Sequence, residues 1–223
     1  MKEIINFTPT GTPTKKLLIW GFYEGAVSMI FDILESLNYD KEVFILNEEM
    51  LLRPRKPINN DKIKYSLVSK IPEGFDGNYL ICEDTGKRQK EYIEKNIPRE
   101  NMVSVIHKST SISSTTSIGC CSVINAGVVI AGHTEIGDFT FINRNVSIGH
   151  HTKIGNRTTL NPACNIGGNV DIREKCLIGI GAIIIHQIII GHHTIIGAGS
   201  VVVRTMPEKV IAFGNPCKVN KTR

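Results

Sequence analysis

Aliphatic side chains recur at every sixth position from Ile106 to Val202, through Ile112, Ile118, Ile124, Ile130, Ile136 and onward without a miss. Neither an α-helix, with a side-chain period of 3.6, nor a flat strand, with a period of 2, can use a period of six. A hexapeptide period belongs to a solenoid in which the chain turns a corner after each short strand. A second inward position follows four residues after each aliphatic one, filled by Thr116, Ser122, Val128, Thr134, Thr152, Cys164, Cys176 and their equivalents. These small or β-branched residues suit a narrow interior and extended backbone. The residue directly after the aliphatic is often Gly or Asn, as at Gly119, Asn125, Gly137, Asn143, Gly149 and Asn161. Those types relieve strain at a sharp bend, often one with positive φ.

Three hexads closing a triangle predict a parallel β-helix whose coils take about eighteen residues, so that residues eighteen apart stack in columns at the spacing of neighbouring strands. A solenoid exposes both ends and must cap them. The N-terminal half can cover one end, and the segment 206–223 the other.

Upstream, the pattern changes to that of an α/β domain. Residues 15–20 and 41–46 read as strands, and Val27, Ile30, Phe31 and Leu34 carry helical spacing between them. Further strands are predicted at 78–82 and 102–106, a helix at 86–97, and irregular structure between 51 and 77, where Pro54, Pro57 and Pro72 fall. The first turn keeps only Gly21 and Gly25 of a glycine-rich loop. Such a turn is where α/β domains bind nucleotides, and Asn47 and Glu48 stand at the end of the second strand, where they could meet a ribose or base. The plainer alternative is a tight strand-to-helix turn with solvent-facing acids. The expected division is therefore a Rossmann-like domain over 1–104 and a β-helix with its cap over 105–223.

Composition narrows the classes. The chain has 223 residues, 41% hydrophobic and 21% charged, with a net charge of +5. That balance describes a soluble globular protein. No cluster of aromatic and basic residues suggests nucleic acid as a partner. The apolar run Leu177–Ile190 keeps the hexad phase and is too short to span a bilayer as a helix. Six cysteines without a CxxC pair, and no signal-peptide core at the N-terminus, point to a reducing cytoplasmic compartment.

The chain resembles the bacterial PglD-like and NeuD-like sugar acyltransferases. The resemblance rests on the opening KKLLIWG, the junction Val105–Ser109, the run Ile142–His150 (INRNVSIGH), Gly167–Val170 (GGNV) and the ending Ile211–Val219 (IAFGNPCKV). It implies a left-handed β-helix, a homotrimer with sites between neighbouring β-helices, and acetyl-CoA as acyl donor with no metal. The implied acceptor is the amine of a nucleotide-linked amino sugar used for surface glycans, with a sugar hydroxyl as the alternative within the class. His150 falls on the family's catalytic base, with His151 and Gly168 beside it in the catalytic group. Asn143 matches a position near the acceptor, and Gly179, Ile180, Gly197 and Ala198 match the path of the pantetheine arm. Imidazole suits the role of base, because an amine or hydroxyl attacking a thioester must shed a proton near neutral pH. Gly168 lies eighteen residues after His150, one coil above it, where its N–H could meet a developing oxyanion.

Two positions depart from the family's pattern. The acid that usually follows the base is His151 here, and a second histidine nine residues after the base is Thr159. His133 shares a column with His151; the two could form a metal pair or a relay, and the favoured reading is two exposed turn residues. Outside the class, trimeric β-helices of the γ-carbonic-anhydrase type bind zinc, which would need three converging nitrogen ligands. The spacing of His186 and His192 is not that family's.

Overall fold

The computed structural model describes residues 13–21, 23–46, 61–81 and 96–223. They form two compact units that part between Lys108 and Ser109.

The first unit is a parallel α/β sheet. Strand β1 (Leu17–Trp20) leads through Gly21 into helix α1 (Glu24–Ser36), and β2 (Val43–Leu46), β3 (Tyr65–Val68) and β4 (Asn78–Ile81) complete the sheet in the order β3-β2-β1-β4. Helix α1 forms because Ala26, Val27, Ile30, Phe31, Ile33 and Leu34 make one apolar stripe, all of it buried. Asn38, with φ of 53°, ends it by turning the chain left-handed, and Tyr39 N–H donates back to Leu34 C=O at 3.0 Å. Strand order reverses at β1, and doubly wound sheets take ligands beyond the carboxyl ends of the strands at such a point. Strand β3 falls in the stretch expected to be irregular. Its residues are half-buried or exposed at the sheet edge, so it lacks the apolar run by which a buried strand announces itself. The helix expected at 86–97 lies almost wholly outside the described residues.

The second unit is a left-handed parallel β-helix. A two-residue strand recurs every six residues from Ser111–Ile112 to Val201–Val202. Each pairs in parallel with the strand eighteen residues away, as in Ser147↔Asn165 and Ile148↔Ile166. Three faces result. One carries Val129, Ser147, Asn165 and Ile183 outward, the next Glu135, Lys153, Asp171 and Ile189, and the third Phe141, Thr159, Leu177 and Ile195. The sixfold aliphatics from Ile118 to Val202 fill the interior, and the second inward positions are buried with them. A final hairpin, Val210–Gly214 with Cys217–Thr222, extends the third face. Ile211 pairs in parallel with Ile195, and the last strand then runs back antiparallel.

The corners correct one expectation. Positive φ does not fall on the Gly or Asn after each aliphatic but two residues later, at Cys121, Gly127, His133, Phe139, Asn145, His151, Arg157, Ala163 and Asn169, among others. The glycines answer a different need, the close approach of successive coils. A Cβ on Gly149 would stand 2.5 Å from Gly168 N, and one on Gly155 2.5 Å from Glu174 N.

Candidate functional site

His150 sits at the corner between the strands Ser147–Ile148 and Lys153–Ile154, an exposed side chain on a rigid frame. Its backbone C=O accepts the N–H of Asn169 at 2.8 Å, which fixes Gly168 one coil above. The imidazole lies against Gly168: a Cβ there would stand 2.8 Å from both Nε2 and Cε1 of the ring. The room left by the missing side chain is bordered by the histidine ring itself. Nε2 and the Gly168 backbone consequently share one small volume. The Nδ1 atom of His150 faces His151 Nδ1 at 3.0 Å.

Two contributors were not assigned by sequence reasoning. The His133 ring, one coil below, stacks on His151 with centroids 4.8 Å apart and planes inclined by 33°. Thr152 turns inward, where its hydroxyl donates to Gly167 C=O at 3.0 Å and accepts Val170 N–H at 3.3 Å. This threonine ties the Gly167–Gly168 corner to the coil that bears His150. Its signal was present, since the inward row is rich in Ser, Thr and Cys. Reading it required knowing which carbonyl lies opposite.

The other candidates occupy a different edge. Asn143, Asn161, Gly179 and Gly197 form one column, eighteen residues apart, at the corner that precedes the Ser147 face. Asn125 and Asn161 in this column donate through Nδ2 to Ile142 C=O and Ile178 C=O of the next coil, at 3.1 and 2.9 Å. Asn143 instead accepts the Arg144 N–H on Oδ1 at 2.9 Å, so it is turned differently from its column mates. Gly179, Ile180, Gly197 and Ala198 make a strip along this corner, continued by Gly181 and Gly199, whose Cβ positions meet nothing within 4 Å; a Cβ on Gly197 would instead stand 2.7 Å from that of Phe213. Ile180 is exposed. Within one chain the histidine edge and this strip are held apart by the whole Ser147 face.

Gly21 lies at the carboxyl end of β1 with φ of 82°, its N–H donating to Leu46 C=O at 3.2 Å. Asn47 and Glu48 lie outside the described residues. Among the described residues, no three His, Cys, Asp or Glu side chains are grouped to hold a metal ion, and no helix is long and apolar enough to cross a membrane. Burial pushes the thiols of Cys164 and Cys176 up to about 11.

The fold and these edges define the architecture of a hexapeptide-repeat β-helix joined to a small α/β domain. The chain is similar along nearly its whole length to solved structures of that architecture. PerB from Caulobacter crescentus, in complex with CoA and GDP-perosamine, is 23% identical over 93% of this chain and 98% of its own, with a TM-score of 0.69. The acetyltransferase domain of PglB from Neisseria gonorrhoeae, in complex with acetyl coenzyme A, is 22% identical over 92% of this chain and 99% of its own, with a TM-score of 0.76. WeeI from Acinetobacter baumannii AYE is 19% identical over 93% and 100%, with a TM-score of 0.72. No protein-family model matches the chain. No curated protein matches it in sequence.

Proposed function

We propose that this chain is an acetyl-CoA-dependent N-acetyltransferase acting on the amine of a nucleotide-linked amino sugar, in surface glycan synthesis. The observation that carries the reading is the packing of the exposed His150 imidazole on Gly168, with Nε2 beside the glycine and Nδ1 engaged by His151. A base and a backbone donor in one small volume are what aminolysis of a thioester requires.

In that reaction the amine nitrogen attacks the thioester carbonyl and passes its proton to His150 Nε2. The Gly168 N–H meets the negative charge that gathers on the carbonyl oxygen. The C–S bond then breaks, the C–N bond remains, and the imidazolium returns its proton to the departing thiolate. The strip Gly179, Ile180, Gly197 and Ala198 is assigned to an extended pantetheine arm, supported by the open space over its continuation at Gly181 and Gly199. Gly21, Asn47 and Glu48, at the carboxyl ends of β1 and β2, are assigned to the nucleotide-linked acceptor, and Asn143 to its sugar.

The donor strip and the base stand on different edges of one chain, so a complete site needs a second copy. We therefore assign a homotrimer, with each site built from the histidine edge of one β-helix and the strip of its neighbour. The outward rows support this. The Phe141–Thr159–Leu177–Ile195 row is mostly apolar, whereas the Glu135–Lys153–Asp171–Ile189 row is mostly charged. The complexes of the similar structures with CoA, acetyl coenzyme A and GDP-perosamine favour the same donor and acceptor chemistry.

The test is thiol release from acetyl-CoA against a panel of UDP-, dTDP- and GDP-linked amino sugars. Turnover with one of them, lowered about 10²–10⁴-fold in His150→Ala with acetyl-CoA binding retained, is the expected result. Acetyl-CoA binding without turnover on any amine moves the acceptor to a hydroxyl. No acetyl-CoA binding overturns the assignment.

A further inference from the structure

Three histidine rings stand in file along one edge, and the base is only the last of them. His133 stacks on His151, and His151 Nδ1 meets His150 Nδ1 at 3.0 Å. We propose that His151 is a positioning residue that holds His150 in the tautomer a base requires, that His133 fixes the ring of His151 in turn, and that activity therefore requires an uncharged His151. The proposal rests on the reading of His150 as the base.

The argument follows from proton counting. Two Nδ1 atoms at this distance share a single hydrogen. For Nε2 of neutral His150 to accept a proton, its own hydrogen must sit on Nδ1, so His150 is the donor. His151 must then offer a bare Nδ1 and carry its hydrogen on Nε2. Backbone geometry fixes the approach: His151 has φ of 55°, and its N–H donates to Gly132 C=O at 3.0 Å. The corner thereby aims consecutive side chains at each other, with their ring planes nearly perpendicular at 86°.

A carboxylate in this place would accept the Nδ1 hydrogen throughout the neutral range and would offset the charge of the imidazolium. An imidazole accepts only while it is neutral. Once His151 is protonated its Nδ1 becomes a donor, so His150 either loses the contact or shifts its own hydrogen to Nε2, and in both cases it no longer serves as base. Protonation of His133, stacked on the far side, opposes a second charge on His151 by like-charge repulsion.

Among the described residues, no other charge on this edge takes over the part. One coil above His150 and His151 are Gly168 and Asn169, and two coils above are His186 and Gln187. Below His133, Thr115 Oγ1 accepts the His133 N–H at 2.9 Å. Thr134 and Thr152, which follow the two stacked rings, turn inward to Gly149 C=O and Gly167 C=O. Glu135 and Lys153, on the strands leaving this corner, pair with each other at 3.3 Å.

Two measurements test the file. Long-range ¹H–¹⁵N spectra of the histidine rings in the substrate-free protein, assigned with His150→Ala and His151→Ala, read the tautomers. His150 protonated on Nδ1 and His151 bare on Nδ1 at pH 8 is expected. His150 protonated on Nε2 overturns the proposal, whether or not the enzyme reading holds. The second measurement is the pH profile of kcat/KM. The wild-type acid limb is expected to fall with a slope of about one, since a single proton on either histidine stops the reaction. In His151→Asp the limb is expected to move to higher pH, because a carboxylate favours the imidazolium of His150. His151→Ala lowers kcat about 10²-fold with KM nearly unchanged, and His133→Ala lowers it less, since His133 acts only through His151. Full activity in His151→Ala, or an acid limb that His151→Asp leaves in place, overturns the proposal. Absence of any acetyl transfer by the wild type removes the reading of His150 as base, and the ring spectra still decide the tautomers.

Discussion

At the level of single residues, glycine does two separate jobs in this chain. Gly149 and Gly155 let coils close on each other, and Gly168 lets an imidazole lie flat against the backbone. The consequences of adding a methyl group differ accordingly. In Gly155→Ala the new Cβ meets backbone that cannot swing aside, so the coils must part. The expected loss is about 1–3 kcal/mol of stability, read as a lower midpoint in urea. In Gly168→Ala the methyl group meets the far end of an exposed side chain, which can move. Thermal stability should then stay close to wild type, while kcat falls about 10–100-fold because the base is displaced. The sequence showed where glycines fall but not why. Their shared position after each aliphatic suggested positive φ, whereas the left-handed residues are His133, Asn145, His151 and others two positions on. Those side chains gave no warning of it, because the constraint comes from triangular coiling and not from their own preference.

At the level of elements, the inward row is a hydrogen-bonding device as well as a packing one. Ser122, Thr134, Thr152 and Thr158 each donate to the carbonyl of the residue fifteen further on, and Cys164 and Cys176 do the same through sulfur at 3.1 Å. Each such bond satisfies a corner carbonyl that the short strands leave over. Thr152→Val keeps the shape but leaves Gly167 C=O unpaired, at a cost of about 1–3 kcal/mol. It should also lower kcat, because the Gly168 corner is no longer tied to the His150 coil. Equilibrium unfolding and turnover on the same preparation check both. The two thiols add a pH dependence whose sign is fixed. Burial raises them from 9.0 to about 11 in the folded state, so between those values the folded protein holds protons that the unfolded chain has released. Stability is fully present below pH 9 and declines as pH rises toward 11. Urea midpoints across that range should fall in wild type and fall less in the Cys164→Ser, Cys176→Ser double variant. The strands of the β-helix were legible because their period is long and unbroken. Strand β3 was not, because an exposed edge strand of four residues carries no apolar period.

At the level of the whole molecule, the strip Gly179–Ala198 and His150, proposed as donor site and base, stand on separate edges of one chain. If three copies complete the sites, charge placed on the apolar outward row should cost assembly and activity together. Leu177→Arg is expected to shift the mass in light scattering from trimer to monomer and to abolish turnover. Reversing the charge of Lys153, on the charged row, should leave the mass unchanged. The amino-acid sequence by itself determined the period, and with it the β-helix, the inward rows, the stacking of residues eighteen apart and hence the place of Gly168 above His150. A strict repeat turns distance along the chain into position in space, so these features needed no tertiary information. The tertiary structure alone decided which way side chains turn at the corners. It showed that the His150 ring borders the space over Gly168, that Asn143 breaks from its ladder, and that His133 and His151 stack beside the base. A repeat fixes where each Cα stands. The direction of each imidazole depends on the left-handed turn beneath it and on the rings one coil away, and neither is written in the spacing.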